Sequence, residues 1–231
     1  MFHETYERMT QFASSGPAFE EELKRARREF EVLTGELFET DLSFERRIGS
    51  FLEWYVLDRP LSFAPNKTPT LLYIESVAAG LTTPELNRLR GLTRTLLSLY
   101  EFKRAKGDHL LLVDLMDNTK LAVFERRKPV GLEPGDVFEA RLFPYDDQVL
   151  MTESFTFHPR EARKAIKRAC KVYRKAVVPP PKVELVHRVA YLTNRSERYK
   201  HVDPAKIFAE LDSYRADGGQ RPPATNDSAA G

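Results

Sequence analysis

The densest chemistry in this sequence is cationic. Eight Lys and Arg residues stand between Arg160 and Lys175 with a single acid, Glu161. At about 100° per residue, Arg160, Arg163, Lys164, Lys167, Arg168, Lys171, Arg174 and Lys175 fall within one helical arc of about 140°. Ala162, Ala165, Ile166, Ala169, Cys170, Tyr173, Ala176 and Val177 take the opposite side. Like charges at i, i+4 on a helix repel by a few tenths of a kcal/mol per pair, roughly. A face built this way, without interspersed acids, suits an anionic partner. Nucleic-acid phosphate leads, with Arg163, Lys164, Lys167, Arg168, Lys171, Arg174 and Lys175 as the expected contacts, giving affinity with little sequence readout. An acidic protein surface and anionic lipid are the alternatives. Lipid is the weaker of these, because an apolar side made mostly of Ala has little area to bury, and no membrane partner is expected. The plainest alternative is a solvated face, or one neutralised by acids of the N-terminal part of the same chain. Downstream, Arg188, Arg195, Arg198 and Lys200 extend the positive region among Tyr191 and Tyr199. Aromatic rings among cations can stack on bases, although Tyr191 is placed with Leu185, Val189 and Leu192 in a core.

Other chemistry is poorly specified. The sequence has no GxxxxGK[ST] or GxGxxG loop, no GxSxG elbow, no HExxH and no paired cysteines. The five histidines, His3, His109, His158, His187 and His201, form no close ligand pair; His187 and His201 could meet only through the fold. His158 precedes Pro159 and reads as a cap or turn residue. Cys170 falls on the apolar side of the cationic helix and reads as a small buried hydrophobe, although neighbouring cations could activate it. Asp108, Asp114, Asp117, Glu125, Asp136 and Glu139 are the acids of the sheet region; several fall in expected turns, where Asp bonds backbone amides, and nothing specifies a metal site or an acid/base pair among them. No metal and no cofactor are expected.

These residues need elements to hold them. A chain of 231 residues with 42% apolar and 30% charged residues has the composition of a globular protein, and fifteen Phe and nine Tyr can fill its core. A single cysteine forms no intramolecular disulfide, which suits a reducing compartment. No apolar run is long enough for a membrane span, and the first residues show no signal pattern, so a cytoplasmic location is expected. The net charge of +2 hides an asymmetry. Residues 159–201 hold thirteen Lys/Arg against three Glu, a net of +10, leaving −8 for the rest of the chain.

Residues 1–96 read as a helical region. Phe19, Leu23, Ala26, Phe30, Leu33 and Leu37 mark one helix between Pro17 and Gly35. Phe44, Ile48, Phe51, Leu52 and Tyr55 mark a second over 43–57, ending before Pro60. A short helix is expected over 69–79. Another has Thr83 as N-cap and Pro84 as its first residue, with Leu86, Leu89, Leu92, Leu96 and Leu97 as its stripe. Residues 97–158 break into short apolar runs at 99–105, 109–115, 120–126, 137–143 and 149–157, separated by turn residues. They predict a five-stranded antiparallel meander or partly open barrel. Leu110–Val113 is apolar throughout and is expected to be covered on both faces, by the N-terminal helices. Residues 159–213 read as basic helices over 160–178, 183–194 and from Asp203-Pro204 to about Ser213, with Pro179-Pro180-Pro181 as a rigid spacer. Residues 214–231 read as a disordered tail. The class is α+β.

The strings FLEWYVLDRPL (51–61), LLLVDLMDNTKLAVFER (110–126) and LEPGDVFEARLFP (132–144) carry one resemblance. Residues 51–144 resemble a module of uncharacterised bacterial proteins, found in some of them beside a cysteine-rich zinc motif of the SecA C-terminal (SEC-C) type. That motif is absent here. The resemblance implies a bacterial helical-plus-sheet module without a known reaction, and no functional residue is carried over from it.

The sequence therefore favours a non-catalytic binding or regulatory protein that engages nucleic acid through its basic helix. An interaction or scaffold component, docking an acidic partner or a second copy of itself, is the competing class. An enzyme with an unrecognised site on the sheet is a third.

Overall fold

The computed structural model describes residues 2–125 and 131–214. Helix α1 (Phe2–Phe12) precedes α2 (Pro17–Thr34), which forms where the apolar spacing predicts it and buries Ala26 and Phe30. Gly35 ends α2 in a positive-φ conformation, and its N–H bonds to Glu31 O at 2.8 Å. The carbonyls beyond that end are taken up by Arg47, whose guanidinium donates to Gly35 O and Glu36 O at 2.5 and 2.6 Å. Arg47 belongs to α3 (Phe44–Leu57), and α4 (Pro69–Val77) follows, ending in a 3-10 turn over Ala78–Gly80.

Helix α5 (Thr83–Gly91) starts one residue earlier than expected. Thr82, not Thr83, is the N-cap, because its N–H and hydroxyl both donate to the Glu85 carboxylate, at 2.8 and 2.6 Å. The helix also stops sooner. A 3-10 turn covers Leu92–Arg94, and Leu96 and Leu97 leave the expected stripe to pair with Leu142 and Arg141 in the sheet. Gly91 lets α5 approach that sheet closely, since a Cβ there would lie 2.7 Å from the Pro144 carbonyl oxygen. Gly91→Ala should therefore destabilise the protein by about 1–3 kcal/mol, as overpacking does. A thermal melt within a degree of wild type would contradict this.

The strands are β1 (Leu96–Lys106), β2 (His109–Asp114), β3 (Lys120–Phe124), β4 (Val137–Tyr145), β5 (Gln148–Met151) and β6 (Thr156–Phe157). Their order is β1-β2-β3-β5-β4, and β4 pairs back onto β1 to close a five-stranded barrel, with β6 added on β4. This corrects the antiparallel meander. β3 and β5 meet in parallel through Phe124 and Leu150, and the expected fifth run divides around Glu153-Ser154 into β5 and β6. Closure depends on β1. Its first half pairs with β4 and its second half with β2, and a bulge between Phe102 and Arg104 bends it into two walls. The result is a closed, mixed five-stranded barrel with one added strand, a topology that positions a site without assigning a function.

Tyr100, Phe102, Leu110, Leu112, Val123, Phe138, Leu142 and Met151 fill the barrel. A second core joins α1–α5 to Phe143 of β4, and a third joins Leu99 and Val137 to the C-terminal helices. The strand covered on both faces is thus β4, buried from Val137 to Phe143. β2 is covered on one face only: Leu110 and Leu112 are buried, while Leu111 and Val113 are half-buried on its outward side. Continuous apolar character in 110–113 did not distinguish these two cases.

After a 3-10 turn at Arg160–Ala162 come α6 (Arg163–Lys175), α7 (Lys182–Arg198) and α8 (Pro204–Phe208), the last capped by Asp203 on Ala205 N at 2.9 Å. Helix α6 stops three residues short of the expected Val178. A residue before proline is pushed out of the helical region, and the turn into the triple proline begins at Ala176, already extended at ψ 135°. Val177, assigned to the apolar face, is consequently 99% exposed. A 3-10 turn over Ala209–Ser213 follows α8, and Tyr214, placed in the tail by sequence, packs against the third core. The rest of the expected tail, 215–231, lies outside the described residues, as does Arg126 at the end of the expected third strand.

Candidate nucleic-acid interface

Helix α6 buries Ala165, Ile166, Ala169, Cys170 and Tyr173 against the third core, and this anchoring aims its cationic side outward. The stripe then divides by angle. On the shoulder facing the barrel, Arg163 pairs with Asp136, Lys167 reaches Glu101 at 3.0 Å and Arg174 donates to the Leu115 carbonyl. Just upstream, Arg160 pairs with Glu133 at 2.6 Å and Asp136 at 3.1 Å. On the opposite shoulder, Arg168 bonds Asp212 at 2.7 Å. Lys164, Lys171 and Lys175 stand between the shoulders, exposed, with no ion-pair partner among the described residues.

The seven residues assigned from sequence therefore do not form one free surface. The acids that neutralise Arg163, Lys167 and Arg168 come from the barrel and the C-terminal turn, not from the N-terminal part of the chain. Glu101 shows the effect: partial burial pushes its carboxyl up, but Lys103 and Lys167 outweigh this and hold it below the usual range. The downstream extension is similarly spent. Arg188 and Arg195 both pair with Glu210, while Arg198 pairs with Asp41 at 2.8 Å and lies over the Phe38 ring. Tyr191 packs against the third core as expected, and Arg188 covers its ring. Tyr199 and Lys200 are exposed.

A second surface borders α6 that sequence reasoning missed. The register places three rows on the outward side of β1, β2 and β3: Glu101–Val113–Lys120, Arg104–Leu111–Ala122 and Lys106–His109–Phe124. Their β2 and β3 members are half-buried or exposed. His109 and Phe124 meet edge to face with centroids 5.5 Å apart. Arg104, Lys106 and Lys120 have no ion-pair partner among the described residues. Glu101 joins the two surfaces, since Lys103 and Lys167 share one of its carboxylate oxygens at 2.8 and 3.0 Å. Strand alternation in 109–113 and 120–124 was the available signal, but only the cross-strand register assembles the rows.

The remaining candidates are structural. Burial pushes the Cys170 thiol up to about 12, which keeps it protonated and unreactive. His158, read as a cap or turn residue, is buried between β6 and the turn into α6. Its Nδ1 is 2.8 Å from Thr193 Oγ1, and burial lowers its pKa to about 3. His187 lies edge-on to Phe30 and Trp54 and is lowered to about 4 by burial and then by Arg141, whereas His201 is exposed beside Tyr199, so the fold does not pair them. Asp114 accepts from Ser98 Oγ and Met116 N, both at 2.7 Å, and is a turn residue. At the seam between α3 and β4, Arg141 binds Asp58, Thr95 and Glu53, with Glu139 buried nearby. No cluster of three or more His, Cys, Asp or Glu able to hold a metal occurs among the described residues, and no helix among them is long and apolar enough to cross a membrane.

No family model, curated protein or solved structure matches the chain. The functional reading therefore rests on the side chains themselves.

Proposed function

We propose that the protein binds nucleic acid through the phosphate backbone, with Lys164, Lys171 and Lys175 of α6 as the primary contacts. One observation carries this reading. Among the described residues, the fold supplies carboxylates to both shoulders of the stripe and none to its crest. Lys171 and Lys175 are one turn apart, and Lys164 lies two turns before Lys171 on the same face. The three exposed ammonium groups therefore repel one another, and an external polyanion relieves that repulsion while releasing its own counterions. Lys167 and Arg174, equally prominent in the sequence, are secondary because each already has an internal partner.

Retention on heparin and on mixed DNA or RNA, measured as salt is raised, tests the proposal. Three phosphate contacts give a slope of log affinity against log salt of about −2 to −3. The triple variant Lys164→Glu, Lys171→Glu, Lys175→Glu should abolish retention without lowering thermal stability. Retention that survives the triple change, or none at low salt, refutes the assignment.

A second reading has its own support. Val172, Val177 and Val178 are exposed beside the crest, and that apolar area suits an acidic protein partner or a second copy better than a phosphate chain. Sedimentation across a concentration series distinguishes self-association.

A further inference from the structure

We propose that the protein associates with a second copy of itself, the acidic loop between α2 and α3 of one copy seating on the basic C-terminal end of α6 of the other. In that loop Phe38 and Leu42 are exposed, Leu42 by 88%. Glu36, Glu39 and Glu45 stand beside them in the chain, exposed and without an ion-pair partner among the described residues. At the end of α6 the same combination occurs with the opposite sign. Val172, Val177 and Val178 are exposed, and Lys171 and Lys175 have no ion-pair partner among the described residues. Each patch supplies what the other lacks, an apolar cover and a countercharge.

Both patches are held in place, so contact orders little that is not already ordered. Arg198 of α7 pairs with Asp41 at 2.8 Å, and Ser43 donates to Glu197 at 2.5 Å, which fixes the loop to the C-terminal end of α7. The Tyr173 hydroxyl donates to Pro180 O at 3.0 Å, and the segment it holds leads directly into the N-terminal end of α7. Helix α7 has 17 residues, so the patches stand about 25 Å apart at the two ends of one helix. One chain cannot bring them together. A contact between unlike patches either closes as a reciprocal pair or propagates copy by copy, and both need another molecule. The contact shares Lys171 and Lys175 with the phosphate reading but does not depend on it.

Sedimentation velocity on the full chain tests this. From micromolar to near-millimolar protein at low salt, the mean mass should rise above that of the monomer, and it should fall back as salt screens the charges. Glu39→Lys with Glu45→Lys should stay monomeric, and so should Lys171→Glu with Lys175→Glu. Mixed in equal amounts, the two double variants should associate again, because each supplies the sign that the other has lost. A folding defect cannot produce that rescue. Leu42→Ser should weaken association about tenfold or more, the loss expected from one buried leucine side chain, and leave heparin retention unchanged. A wild type that stays monomeric overturns the proposal, as does association indifferent to both charge reversals or a mixture that fails to associate. Heparin retention does not hang on any of these results, so failure here leaves phosphate binding standing.

Discussion

Arg141→Ala is expected to destabilise the protein by about 3–5 kcal/mol at pH 8, the cost of removing one member of a buried ion cluster. Arg141 projects outward from β4 and is only 1% exposed. It donates to both oxygens of Asp58, to Thr95 Oγ1 at 2.6 Å, and lies 3.5 Å from Glu53. It therefore ties the C-terminal end of α3, and the segment entering β1, to the barrel. Without it, Glu53 loses its compensating charge inside the core. The damage should depend on pH. Burial, outweighing Arg141, already places the Glu53 pKa at about 7, so at pH 5 this group is neutral and misses the guanidinium less. Urea unfolding at the two pH values checks both statements. A loss below about 1 kcal/mol at pH 8 would show that the cluster is dispensable. Arg141→Met combined with Glu53→Gln and Asp58→Asn should recover most of the loss, because charges removed together leave no unpaired member.

Stability should be greatest between about pH 4.5 and 6.5 and fall on both sides. Burial, then the Glu53 charge, raises Glu139 to about 8, and Glu53 itself stands at about 7. Folded pKa values above the unfolded ones mean stability that is full below pH 4.5 and lost as pH rises through 7 and 8. His158 and His187 act in the opposite sense. Their folded values of about 3 and 4 lie below the unfolded 6.5, so their contribution is full above pH 6.5 and disappears as pH falls toward 4 and 3. Between 4.5 and 6.5 two rising and two falling contributions offset one another. Glu22, Glu101 and Asp117, held low by hydrogen bonds and neighbouring cations that outweigh desolvation, add to the acid limb. Glu139→Gln isolates the alkaline limb. Glu139 Oε2 is buried without a hydrogen-bond partner, so a neutral amide of the same shape removes the charge that burial opposes. At pH 9 the variant should be more stable than wild type by on the order of 2 kcal/mol, with little difference at pH 5. Melting curves from pH 4 to 9 give the answer, and a parallel alkaline decline in the variant would assign it to other groups.

Neither buried cluster was visible as such in the sequence. Glu53 and Arg141 are 88 positions apart, and Glu139 was one of several acids in the sheet region with nothing to single it out. Local signals were more generous. The period that marks α2 ran from Phe19 to Leu37, and its ends were announced by Pro17 and Gly35. The turn residues between 97 and 158 located β1 to β4 to within a few positions but ran β5 and β6 together. Boundaries failed where two local patterns were compatible: Leu96 and Leu97 continue a helical stripe and equally begin a strand, and the ladder to β4 decides for the strand.

What the sequence determined by itself was the cationic stripe and its direction. Apolar residues on one side of α6 must find a core, which leaves the charges outside. Which of those charges remain available was decided by the tertiary structure alone. Closing the barrel brings Asp136 and Glu101 beside one shoulder, and the C-terminal turn brings Asp212 beside the other. Neutralisation depends on distances of a few ångströms between residues dozens of positions apart, and helical periodicity carries no information about such distances. The rows on the outward side of β1–β3 have the same origin, since a strand's alternation says which residues share a face but only register says which residues neighbour across strands.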